Sequence, residues 1–394
     1  MADVEVSSRR LIACYRGEEA ERIPICSPIS WHPMRDIDRE KPGGWRAEPD
    51  FIELARLVQQ HCDPHPLWSP VPPPRVFAPY SYQRFLEAPD EYIEQLPIER
   101  ISPTRTRTTI VLHTPKGDLR WVYDEDEGIE TRWDITKPIE SIDDIDRMLS
   151  VPYRFSPPPP AEFDAHRRQR SEMGRDAIGG VNINSMVAML CGVMDFEQML
   201  EWLLTEPKAM KALADAWLAR TAERVDYLLD QGVGPIWHFN GVERASPPMM
   251  GPAQWEQWVV PYDGAIMRQI KAREPQALIH VHCHGKVGTL LRSFVEMGVD
   301  STDPVEPPTQ GDIEFADARK IVGDRMVLFG NIEFSDMEQC TPDQIEDKVR
   351  CAIEHGGKRR VVLFPSATPH ERHTSQLLAN ARRYIEAGLK YGAM

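Results

Sequence analysis

The sequence predicts an α/β protein, a (β/α)8 TIM barrel forming one domain over residues 1–394, with a β-hairpin insertion in its amino-terminal half. Three observations predict it. From Asp176 to the carboxyl end, short apolar runs alternate with helical stretches, and such βα repeats with right-handed crossovers demand a parallel sheet. Each apolar run is followed within a few residues by polar side chains, as when every strand of a barrel delivers its carboxyl end to one mouth. Between about 101 and 135 the helical period gives way to β-branched residues on both sides of a Pro115-Lys-Gly-Asp118 turn, the mark of a hairpin excursion.

Composition narrows the function classes. A net charge of -15 and a pI near 5.3 exclude nucleic acid and anionic membranes as main partners, because both require a basic surface. No apolar run approaches the ~20 residues of a membrane span, and the opening Met1-Ala-Asp-Val-Glu-Val has no signal-peptide core, so a cytoplasmic protein is expected. Seven cysteines without a CxxC pair point to reduced thiols, with neither a disulfide framework nor an all-cysteine zinc site.

In chain order, residues 7–21 read as a helix leading into the short buried strand Arg22-Ile-Pro-Ile-Cys-Ser-Pro28. Trp31 and His32 lie just past its carboxyl end and are candidate substrate-binding residues, as are Trp68 and Tyr80 in the proline-rich segments that follow helix 50–62. These aromatics fit either a flat apolar ligand or plain packing. The ribbon 104–123, with Thr131–Thr136 as a further strand, has one wet and one covered face, suited to a lid or a homodimer contact. Ser141 caps the next helix, above an acidic first turn. Strand 176–184 precedes a helical region 195–230 broken near Glu206-Pro207. The remaining strands are expected at 234–240, 277–284, 299–302, 325–331 and 359–365, with helices at 252–273, 286–297, 312–322, 342–355 and 372–390.

The stretch Ala277-Leu-Ile-His-Val-His-Cys-His-Gly285 centres the site. Side chains alternate along a strand, so His280, His282 and His284 share one face while Val281 and Cys283 take the other. Same-face imidazoles at a strand end converge on one point, and neutral imidazole is the commonest protein ligand for zinc and related metals. A hydrogen-bonded polar rim is the simpler alternative. His238, His280, Glu306 and Asn331, all at or near strand ends, are the candidate catalytic residues.

Further motifs are Ser8-Arg-Arg-Leu with Arg22-Ile-Pro, Thr114-Pro-Lys-Gly-Asp-Leu, Thr131-Arg-Trp, Ser246-Pro-Pro-Met-Met through Val260-Pro-Tyr262, His282-Cys-His-Gly285, Gly298-Val-Asp, Gly330-Asn-Ile, and Asn380 to Tyr391-Gly. Together they resemble the uroporphyrinogen decarboxylase superfamily, in particular its corrinoid-linked methyltransferase branch. The decarboxylase's Arg-Gln-Ala-Gly-Arg-Tyr loop is replaced here by Ser30-Trp-His-Pro-Met-Arg35. The branch's zinc-binding His-x-Cys aligns with His282-x-His284, and its late cysteine falls in Phe364-Pro-Ser-Ala-Thr368, which has none. The resemblance therefore implies zinc on a harder donor set, with Glu243 as the candidate third ligand. It also implies methyl transfer from a small methoxylated donor to a corrinoid (cobalamin), free or carried by a partner protein. The alternatives are a lyase, with His238, His282 and Glu306 acting on a small carboxylate, and a silent binding protein.

Overall fold

The computed structural model describes residues 4–29, 48–63, 67–68, 88–127, 132–161, 163–164, 180–368 and 373–394. Seven parallel strands form the principal sheet. They are β1 (Leu67–Trp68), β7 (Gly180–Asn184), β8 (Ile236–Asn240), β9 (Leu278–His282), β10 (Ser301–Asp303), β11 (Val327–Ile332) and β12 (Val361–Pro365), neighbours in that order. A second, antiparallel sheet holds β2 (Ile93–Gln95), β3 (Glu99–Arg100), β4 (Arg105–Leu112), β5 (Leu119–Asp126) and β6 (Arg132–Thr136). Its eight-residue β4–β5 ladder, rich in threonine, valine and aromatic side chains, runs from Arg105 opposite Asp126 to Leu112 opposite Leu119.

Closure into an eight-stranded barrel is not seen as a continuous ladder among the described residues. The expected strand 22–28 is reduced to two isolated bridges, Arg22 antiparallel to Ala393 and Ile25 parallel to Leu363 of β12, and the Asp63 N–H donates 2.7 Å to Ile25 O on the other side. Pro24, which has no N–H to give, still accepts from Leu363 N at 2.9 Å, so the segment rides on β12 by its carbonyls and the Cys26 N–H.

Strand parity divides the apolar core into two clusters. Trp237, Phe239, Ile279, Val281, Cys283, Leu328 and Leu363 pack outward with the helices. Ile236, Leu278, Val327, Phe329, Val362 and Phe364, each one residue out of step with these, share a smaller inner cluster. Leu11, Cys14 and Tyr15 of the first helix, Val4–Arg16, join it, as does Cys26. That helix lies at the amino-terminal ends of the strands, since Cys14 Sγ lies 3.4 Å from Val361 O and the Arg360 guanidinium reaches Tyr15 O. On β8 and β9 the inner-face positions are thus apolar at the strand start, Ile236 and Leu278, and polar beyond it, His238, His280 and His282.

Helix boundaries shift where sequence chemistry is local. The helix expected over 252–273 is two, Pro252–Trp258 and Asp263–Arg273, parted just before Pro261, whose ring cannot follow an uninterrupted helix. Two more were not expected, Met186–Val193 and Phe334–Gln339.

Candidate functional site

The register of the parallel sheet assembles the site. His238 on β8 pairs with His280 on β9, His280 with Ser301 on β10, and His282 with Asp303. All five lie on the inner face. The His238 and His280 rings stack at 4.6 Å and 17°, and both residues are buried. Cys283 is fully buried in the outer cluster, pointing away from the histidines as parity predicts.

Each histidine at the strand end is held by a carboxylate. His282 Nδ1 lies 3.1 and 3.2 Å from the two oxygens of Asp303, and His284 Nδ1 lies 2.8 Å from Glu306 Oε1. Glu306 is itself fixed, because Gly285 N–H donates 2.5 Å to its Oε2. Both carboxylates are buried and both imidazoles are partly open, with ring centres 4.7 Å apart. A histidine whose Nδ1 is committed to a carboxylate is set in the tautomer that offers Nε2 to a metal.

Electrostatics follow this geometry. Burial alone would lower the His282 pKa, but the Asp303 charge and hydrogen bond, helped by Glu243 and Glu306, overcome it and raise the value to about 9. Burial pushes Asp303 the other way, and the His282 and His280 charges and hydrogen bonds win, holding it well below the usual carboxylate range.

Glu243 sits in the 3-10 turn Val242–Ala245 after β8. Gly241 makes that turn possible. Its φ is 84°, and a Cβ there would stand 2.3 Å from the Ala188 Cβ. Arg244 Nη1 donates 2.9 Å to Glu243 Oε1, while the buried Oε2 has no hydrogen-bond partner among the described residues. Glu243, Arg244 and His282 line one side of a cavity of 710 Å³, with Asn240 beside them and Met189 and Phe196 among its apolar walls. The antiparallel sheet reaches it too: Asp134 from β6 and Lys137 just beyond also line it. Lys137 is tied down by Cys191 O at 2.8 Å and Met194 O at 3.2 Å. The ribbon, suited by sequence to a lid or a homodimer contact, therefore touches this cavity.

A second grouping, His238, His280 and Asp303, brings ligand atoms within 4.8 Å of one another. It is a poor metal cage. His280 Nε2 and Asp303 Oδ1 stand 2.6 Å apart, whereas two donors about 2.0–2.1 Å from a tetrahedral zinc would be about 3.3 Å apart. A hydrogen bond fits that gap, and an ion there would need the pair to open to about 3.3 Å.

Of the residues singled out from sequence, His238, His280, His282, His284 and Glu306 come together, and Glu243 shares the cavity with His282. Asn331, near the end of β11, is registered with Phe364. Trp31, His32 and Tyr80 lie outside the described residues, and Trp68 is placed by its backbone alone, in β1 paired with β7. Glu333 is one of the polar residues that the sequence places after its apolar runs, without a role of its own. It follows β11, its pKa is raised first by burial and then by the Glu306 charge, and its buried Oε1 has no hydrogen-bond partner among the described residues. It stands directly after the last residue of β11, Ile332.

A parallel α/β sheet that gathers histidines and carboxylates at the carboxyl ends of its strands is the frame of an α/β enzyme. More particularly, the chain belongs to the uroporphyrinogen decarboxylase (URO-D) family, whose profile matches residues 125–387. Over 159 residues it is 26% identical to uroporphyrinogen decarboxylase 1, chloroplastic, of Oryza sativa subsp. japonica, covering 40% of this chain and 37% of that protein. Over 109 residues it is 30% identical to the uroporphyrinogen decarboxylase of Sphingopyxis alaskensis, covering 27% of this chain and 31% of that one. The matched part thus spans about a third of the length of these curated relatives. A methyltransferase from Methanosarcina mazei superposes with a TM-score of 0.59 at 14% identity, covering 99% of this chain and all of that one, which shows a shared fold.

Proposed function

We propose that this protein is a zinc-dependent methyltransferase of the corrinoid-linked branch, taking a methyl group from a small methoxylated substrate. The observation that carries the reading is the donor set. Two histidines have Nδ1 committed to buried carboxylates, and Glu243 keeps one buried oxygen unpartnered among the described residues, beside His282 in the same cavity. His282 and His284 through Nε2, with Glu243 through Oε2, would give zinc three protein ligands and one open position; among the described residues only His238, His280 and Asp303 already hold ligand atoms within 4.8 Å of one another, so these three would have to close on the ion. When bound, the ion supplies Lewis-acid stabilisation of the charge that develops on the leaving oxygen of a methyl ether.

The chain's own groups do the rest. Asp303 and Glu306 orient the two imidazoles, and Arg244 holds Glu243 by its other oxygen. Met189 and Phe196 exclude water from one wall, while Asn240 and Arg244 offer hydrogen bonds to the polar end of a substrate. The methyl acceptor is a corrinoid, free or brought by a partner protein, a reading supported by the family resemblance. Curling of the parallel sheet into a (β/α)8 barrel would leave its mouth as the docking face. Among the described residues no helix is long and apolar enough to cross a membrane.

The experiment is product analysis. Purified protein with zinc, reduced cobalamin and a methoxylated aromatic should yield methylcobalamin and the corresponding phenol. Carbon dioxide from a small carboxylate, without methyl transfer, would instead establish the lyase reading that the curated decarboxylase relatives favour.

A further inference from the structure

Beneath the two strand-end histidines, a chain of hydrogen bonds runs back to the first helix. The Tyr15 hydroxyl lies 2.8 Å from Ser301 Oγ, which lies 2.7 Å from His280 Nδ1; Tyr15 OH is itself 3.3 Å from that nitrogen. On its other edge, His280 Nε2 stands 2.6 Å from Asp303 Oδ1, the oxygen that also faces His282 Nδ1 at 3.1 Å. Tyr15, His280, Ser301 and Asp303 are all buried. A path of polar contacts therefore joins the helix at the amino-terminal ends of the strands to a side chain at their carboxyl ends.

Proton bookkeeping gives the path a direction. An ionised Asp303 has only lone pairs to offer, so the ring nitrogens facing it must bring protons, Nε2–H from His280 and Nδ1–H from His282. With Nε2–H directed at Asp303, the His280 ring turns Nδ1 toward Ser301 Oγ and the Tyr15 hydroxyl. Among the described residues its polar neighbours there are two hydroxyls, and hydroxyl protons rotate to suit. Burial raises the Tyr15 phenol well above its ordinary pKa, so it keeps a proton to donate. The ring itself is clamped, with His238 stacked on one face and Phe329 edge-on at 4.9 Å. His280 is not among the residues lining the cavity.

We propose that Tyr15 and Ser301 are positioning residues, which act through His280 and Asp303 to lock the His282 ring with Nδ1 toward Asp303 and Nε2 toward the metal. This rests on the metal site proposed above. His280, a catalytic candidate by sequence, is on this account a strut, and the first helix becomes part of the site's support.

The test is Co2+ titration of the metal-stripped protein, reading affinity and ligand-field absorption. Wild type is compared with Tyr15→Phe, Ser301→Ala, the double variant, Ser301→Thr and His282→Ala. Each single variant should lose a few-fold in affinity, because one hydroxyl stays within reach of His280 Nδ1. The double variant should lose roughly 10–100-fold, the cost of removing an outer-shell partner, and shift the Co2+ absorption. Ser301→Thr, which keeps a hydroxyl, should restore both. A folded double variant with wild-type affinity and spectrum overturns the proposal. Should it not fold, Tyr15→Phe carries the test, since it keeps the ring beside Phe329; wild-type affinity and spectrum there overturn it equally. Wild type that binds no Co2+, or His282→Ala that binds it normally, refutes the metal site instead. NMR of isotope-labelled histidines in the metal-free protein then still decides the strut: His280 must carry its proton on Nε2, and a proton on Nδ1 alone overturns it.

Discussion

Raising the pH of the metal-free protein should destabilise it through His282. The imidazole pKa is about 6.5 in an unfolded chain and about 9 here, where Asp303 lies 3.1 Å away. A folded-state pKa above the unfolded value means that the imidazolium–carboxylate pair stabilises the fold. That contribution is fully present below pH 6.5 and is lost as pH rises through about 9. At about 1.4 kcal/mol per pH unit, the displacement is worth on the order of 3 kcal/mol. Urea unfolding of the metal-stripped protein across this window, beside His282→Gln, measures it. Buried thiols such as Cys14, which burial raises to about 12, also destabilise at alkaline pH as they ionise in the unfolded chain. They do so equally in both proteins, so the difference isolates His282. Parallel pH profiles for wild type and variant would refute the coupling. The same proton must leave before a metal can bind, so apparent metal affinity should climb about tenfold per pH unit up to about 9 and then level off.

Cys283→Ser should leave metal content at the wild-type level and cost about 1 kcal/mol, because Cys283 belongs to the outer cluster; a folded, metal-free variant would reverse the strand's parity. His284→Cys should retain metal, restoring a His-x-Cys pair on the same face, and cobalt substitution would show a thiolate charge-transfer band. Gly241→Ala should lower the melting temperature by a shift equivalent to roughly 1–3 kcal/mol and also weaken metal binding, since the new Cβ drives the Glu243 turn off Ala188. If the ribbon forms the homodimer contact that its sequence suits, Trp133 and Ile135, exposed on β6, are its apolar residues, and Trp133→Ser with Ile135→Ser should lower the solution mass seen by analytical ultracentrifugation; an unchanged mass would refute that contact.

The inner face of β9 could be read from sequence because period-2 alternation survives burial: His280 and His282 are separated by Val281, and the apolar neighbours sort cleanly into two clusters. The helix Met186–Val193 was not legible for the converse reason. Met186, Val187, Met189, Leu190, Cys191 and Val193 are all buried, which erases the amphipathic period; only the Ser185 cap marked it. The break before Pro261 was in plain view, overridden by the surrounding helical pattern. Asp303 and Glu306 were visible as polar strand-end residues, but their service to His282 and His284 depends on strand register, which no local pattern encodes. Tyr15 meeting His280 spans 265 positions and is set by how the first helix seats on the sheet.

Metal content decides the central claim most directly. Elemental analysis of the purified wild type should give about one zinc per chain, with His282→Ala, His284→Ala and Glu243→Ala each folded and depleted. Full zinc retention in both histidine variants would contradict the site. Loss confined to His238→Ala and His280→Ala would move the metal to the buried triad, which the 2.6 Å His280–Asp303 contact argues against.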